Sequence, residues 1–118
     1  MTESELKDRF LKFALAVYRF TKEFPKETVY FVITGQILRC SSSSGANYRA
    51  ACRGKSGPDF INKLKIVEEE LDETLYWFEY TNGVDSVWKS HTESLEKENN
   101  ELLSIIVASI KTSRRNNH

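Results

Sequence analysis

Apolar residues recur at helical spacing along nearly the whole chain. They first fall at Leu6, Phe10, Phe13, Val17, Phe20 and Phe24, in steps of four, three, four, three and four. That is the seam of a helix packed along its length against others. Thr2 and Glu5 stand in capping-box relation just ahead of it. Pro25 ends it, because the residue before a proline avoids the helical region. Leu11, Ala14, Leu15 and Tyr18 widen the stripe beyond what one neighbouring helix covers. A second helix opens near Glu27 and carries Val29, Ile33, Ile37 and Cys40 before meeting Ser41-Ser42-Ser43-Ser44-Gly45. By composition this run is a linker, since serine and glycine are poor helix formers. The three-and-four spacing nevertheless continues through Ile33, Gln36, Cys40, Ser43, Asn47 and Ala50, with no proline or charge to stop it. The spacing favours helix, either continuous or distorted at the serines, with small side chains that let a neighbour come close.

Gly54 to Pro58 is a clear break. Ser56 suits a cap, Pro58 an early helical position, and Asp59 the positive end of the helix dipole. Phe60, Leu64, Val67, Leu71, Thr74 and Phe78 then repeat the same seam, and Asn82-Gly83 reads as its stop. A fourth helix starts at Asp85 or Ser86. It carries Trp88, His91, Leu95, Leu102, Ile105 or Ile106, and Ile110, with a fraying end from Arg114 to His118. The pattern predicts helices over 3–24, 27–53, 58–82 and 86–112. The fold class is all-α: one domain over residues 1–118, an antiparallel up-down-up-down four-helix bundle.

Composition narrows the setting. The chain has 118 residues, of which 40% are hydrophobic and 29% charged, enough for a packed core. Seventeen Lys and Arg balance seventeen Asp and Glu, which disfavours a globally basic nucleic-acid binder. Met1 to Glu5 is acidic where a secretory signal would be basic and then apolar. The longest nearly apolar run, Leu102 to Ile110, is nine residues with two serines, against roughly 20 for a membrane span. Cys40 and Cys52 read as small buried hydrophobes of a reduced, cytoplasmic protein.

Catalytic motifs fail on spacing. Gly54-Lys55-Ser56 looks like the end of a phosphate-binding loop, but Arg49 stands where that loop needs glycine, and no strand precedes it. His91 and His118 follow Trp88 and Arg115 by three residues, so neither forms the Glu-x-x-His pair of di-iron bundles. The serine quartet lies in no Gly-x-Ser-x-Gly elbow and no Ser-x-x-Lys. Glu68-Glu69-Glu70, Asp72 and Glu73 suit a solvated or ion-paired helix face better than paired catalytic carboxylates. No cofactor, metal or small-molecule substrate is expected.

Charge segregation is the informative polar feature. From Thr28 to Pro58 no acid occurs, while Arg39, Arg49, Arg53 and Lys55 do. From Ile66 to Trp88 no base occurs, while seven acids do, among them Glu69, Glu70 and Glu73. The two stretches adjoin across one turn, so Arg39 or Arg49 should meet Glu69, Glu70 or Glu73, in a place where Tyr76 and Trp77 exclude water. The alternative is a basic surface on which Arg39, Arg49, Arg53 and Lys55 touch phosphates, weakly because nearby acids offset the field. Tyr76-Trp77-Phe78 and Tyr80 occupy more than one face of the third helix. Together with the wide stripe of the first helix, they suggest a contact between subunits.

The run from Arg39 to Glu73 resembles the bacterial four helix bundle proteins, the intervening-sequence proteins of large-subunit ribosomal RNA. Arg39, Ser43, Asn47, Ser56, Phe60, Leu64 and Glu73 match that family's pattern, and Phe24-Pro25-Lys26-Glu27 with Gln36-Ile37-Leu38-Arg39 fits its first turn and second helix. Two stretches depart from it: Gly45-Ala46-Asn47-Tyr48-Arg49-Ala50-Ala51 stands where the family often has Asn-Ile-Ala-Glu-Gly preceded by Pro, and Glu69-Glu70 replaces a Gly-Ser pair. The resemblance implies a homopentameric ring of bundles with no known catalysis. It also implies distant kinship to the basic accessory protein of diversity-generating retroelements, which binds a reverse transcriptase and nucleic acid. The expected partner is therefore a second copy of the chain, with nucleic acid the alternative and a membrane excluded.

Overall fold

Thr2 opens the first helix as its sequence position predicts: its hydroxyl accepts a hydrogen bond from the Glu5 amide at 3.1 Å. The computed structural model describes residues 1–54 and 57–116. It contains α1 (Glu3–Thr21), α2 (Thr28–Cys52), α3 (Gly57–Val84), a single 3-10 turn (Ser86–Trp88) and α4 (Lys89–Asn116), with no strand among the described residues. Each helix packs on two neighbours, α1 on α2 and α4, and α3 on α2 and α4, in a body of 50 × 20 × 19 Å. The proposed cap Ser56 lies outside the described residues.

Helix α1 stops at Thr21, three residues short of the expected end, yet Phe24 keeps its place in the core by folding back. Its ring lies about 5 Å from those of Phe20, Tyr30 and Trp88. Trp88 also donates its indole N–H to the Tyr30 hydroxyl at 3.1 Å, so this end of the bundle closes on an aromatic cluster whose polar atoms are satisfied.

The serine run is helix. Ser42 and Ser44 donate their hydroxyls to carbonyls of the preceding turn, at 2.6 and 2.7 Å, and Asn47 donates to the Ser43 carbonyl at 2.9 Å. These three side chains thus find partners without leaving the helix, whereas the buried Ser41 hydroxyl has none. Gly45 lets α1 and α2 approach: a Cβ there would lie 3.0 Å from the Phe10 Cβ. The buried stripe continues through Ser44, Tyr48 and Ala51, one position beyond the expected Ser43, Asn47 and Ala50, which are half-buried.

Helix α3 buries Leu64, Val67, Leu71, Thr74 and Phe78 as its seam predicts, then passes through Asn82-Gly83 to Val84. No described glycine adopts positive φ, so the expected glycine stop does not form. Asp85 instead caps the 3-10 turn, accepting from the Val87 amide at 3.0 Å. In α4 the buried positions are Thr92, Asn99, Leu102, Ile106 and Ile110. His91, expected in the seam, is exposed, its ring resting 5.3 Å from that of Trp88.

Candidate functional site

Two turns of α2 and α3 bring the predicted charges together. Arg39 donates to Glu70 at 3.2 Å and forms an ion pair with Glu73. Glu73 also accepts from the Trp77 indole N–H at 3.4 Å, and Gln36 accepts from Arg39 at the same distance. Donating to the Glu73 carboxylate raises the Arg39 pKa above its ordinary value. Behind the pair, the Thr74 hydroxyl donates to the Glu70 carbonyl at 2.7 Å and lies 3.2 Å from the buried Cys40 sulfur. Burial pushes the Cys40 thiol up, so it stays a neutral packing group. Trp77 is half-buried, whereas Tyr76 and Tyr80 stand exposed beside it, their rings 5.2 and 5.1 Å from the indole.

The remaining predicted residues lie elsewhere. Arg49 does not reach the α3 acids. It lines a groove of about 350 Å³ between α1 and α2, with Lys7, Leu11 and Gly45. The reason is register: Arg49 projects from the flank of α2 that faces α1, whereas Arg39 projects toward α3. Arg53 is exposed and makes no ion pair among the described residues. Lys55 lies outside the described residues. Glu69, next to Glu70 but turned about 100° round the helix, faces α4 and lines a second groove of about 390 Å³ with Glu68, Asp72, Leu103 and Val107.

One charge cluster went unread in the sequence. Arg9 of α1 grips Glu98 of α4 through two hydrogen bonds, at 2.9 and 2.6 Å, and adds Glu101 at 2.7 Å. The partners are 89 and 92 positions apart, with no local signal to join them. Hydrogen bonding to Glu98 raises the Arg9 pKa. Among the described residues, no group of three or more His, Cys, Asp or Glu is placed to hold a metal. No described helix is long and apolar enough to cross a membrane.

The sequence pattern of the 23S rRNA-intervening sequence protein family matches residues 2–108. The chain belongs to that family. A similar solved structure is the crystal structure of a protein with unknown function from the S23 ribosomal protein family of Bacteroides thetaiotaomicron VPI-5482. It is 35% identical, covers 94% of this chain and 99% of its own, and superposes with a TM-score of 0.85. No curated protein matches.

The structure gives the residues that carry the intervening-sequence pattern distinct physical roles. Arg39 and Glu73 are ion-pair partners between helices. Asn47 donates to both the carbonyl and the hydroxyl of Ser43, holding the serine segment from one turn on. Leu64 is fully buried, and Phe60 packs half-buried on the core. Within this family member the described matching positions therefore join α2 to α3 and keep α2 helical. Among the described residues, none of these positions lines a pocket with converging nucleophile and base.

Proposed function

We propose that this chain is a non-enzymatic helical bundle that self-associates in the cytoplasm and serves as a scaffold or interaction module. Its helices run up-down-up-down: Phe10 stacks on Tyr48 while Phe24 meets Tyr30, and Arg9 holds Glu98 while Phe20 meets Trp88. Those pairings support antiparallel neighbours. The copies close into a ring, with five copies as the family resemblance implies.

The observation that carries this reading is the second apolar stripe. Leu11, at 59% exposure, stands with Leu15 and Tyr18 on the outside of α1, and Tyr76, at 54%, stands with Tyr80 on α3. Apolar side chains repeated along one helix face gain free energy when another surface removes them from water. Replacing Leu11 and Leu15 together by serine should lower the solution mass at a given concentration while leaving helicity by circular dichroism intact. Unchanged mass in that variant would exclude the α1 stripe as the contact.

A second reading rests on Arg49, in the last turn of α2, and Arg53, just past its end, both exposed and without ion pairs among the described residues. Phosphate contacts from these residues would give affinity for RNA that falls steeply with salt. Each Arg replaced by Gln should reduce the salt slope by about one. Absence of binding at about 50 mM salt would end this reading.

A further inference from the structure

The two grooves lie on opposite flanks of the bundle, since α1 does not pack on α3, nor α2 on α4. They differ in charge. On the α1–α2 flank, Leu11, Leu15 and Tyr18 make an exposed apolar ridge in steps of four and three beside the groove. Lys7 and Arg49 line that groove, and Lys22 lies over the Tyr18 ring, 5.5 Å from its centre. The one acid lining it, Asp8, is already held by Lys12 at 2.8 Å. On the α3–α4 flank, the groove has an apolar floor of Leu103 and Val107. Glu68, Glu69 and Asp72 outnumber Lys65 along it.

We propose that the α1 ridge of one copy seats in the α3–α4 groove of the next. This rests on the self-association proposed above and names its two surfaces. Leu11, Leu15 and Tyr18 cover Leu103 and Val107, while Lys7 and Arg49 come beside Glu69 and Asp72. Opposite potentials fix the register and suppress the two same-sign pairings, ridge on ridge and groove on groove. Because the mating faces are different and sit on opposite flanks, each copy keeps one face of each kind to offer. Such a head-to-tail contact propagates from copy to copy until the rotation closes a ring. A two-fold dimer has no place in this scheme.

The test uses the full chain with two charge-reversed variants, Lys7→Glu/Arg49→Glu and Glu69→Lys/Asp72→Lys. Each alone should raise the concentration at which the wild-type mass is reached by at least about tenfold, because like charges then face each other. Mixing the two variants, or combining all four substitutions in one chain, should restore association. A wild-type protein with the mass of one chain overturns both this pairing and the self-association reading. A wild-type oligomer whose charge variants keep its mass, or whose mixed variants stay apart, overturns the pairing alone. Should a reversed variant fail to fold, chains bearing Leu15→Cys and Val107→Cys, mixed under oxidation, provide the second readout. A disulfide-linked mixed dimer supports the contact, and none contradicts it.

Discussion

Arg39 shows what a single guanidinium does in this molecule. Its side chain is 48% exposed and Glu73 is 37% exposed, so water screens the pair and its net contribution to stability is small. In a double-mutant cycle of Arg39→Met and Glu73→Gln, we expect a coupling energy of about 0.3–1 kcal/mol. A value near 3–5 kcal/mol, appropriate to a buried pair, would contradict the exposed geometry. Tyr48 and Cys40 make the opposite case. Burial, with a hydrogen bond to Cys52 assisting, pushes the Tyr48 phenol up, and burial does the same to the Cys40 thiol. The folded chain keeps both groups neutral where the unfolded chain ionises them. Their contribution is whole below the ordinary values of about 8.5 for a thiol and about 10 for a phenol, and is lost as pH rises past those values. The urea midpoint should therefore fall between about pH 8 and pH 11, and less steeply in Tyr48→Phe than in wild type. Identical slopes would contradict the assignment. The Arg39 pairing was legible because a base-only stretch abuts an acid-only one. The separate fates of Glu69 and Glu70 were not, because neighbouring residues point about 100° apart on a helix and composition carries no register.

At the scale of the element, α1 and α3 could be read from sequence because every seam position up to Val17 and Leu71 is a large apolar residue. Helix α2 lost that contrast after Cys40. Serine, alanine and glycine on adjacent positions offer no hydrophobic difference, so the stripe expected from spacing falls one residue early. Only Tyr48, with its ring stacked 5.2 Å from Phe10, marks the true face. In α4 the seam contains Asn99, fully buried, with its amide donating to the Leu71 carbonyl at 3.0 Å. A polar residue in the core breaks the pattern that periodicity depends on. The two helical glycines of α2 give a prediction at this scale. Nothing lies within 4 Å of a Cβ added at Gly35, so Gly35→Ala should stabilise by about 0.5–1 kcal/mol through helix propensity. At Gly45 the added carbon meets Phe10. Gly45→Ala should lose most of that gain, and Gly45→Val should lower the thermal midpoint. Equal stabilisation by alanine at both sites would show that α1 and α2 are not in close contact at Gly45.

At the scale of the whole molecule, the helix count and the family could be read from the sequence, because both rest on patterns that run the length of the chain. The surfaces could not, because an exposed leucine looks the same in sequence whether water or another subunit covers it. The molecule balances its charge overall, with seventeen of each sign, yet places bases beside the α1–α2 groove and acids along the α3–α4 groove. Such a division supports association weakened by salt, since exposed pairs are screened over about 8–10 Å at physiological ionic strength. The most direct measurement is the mass of the wild-type chain by light scattering across a range of concentrations. Self-association predicts a mass that is a multiple of 13.7 kDa and falls on dilution or added salt. A mass that stays at 13.7 kDa at every concentration would contradict it.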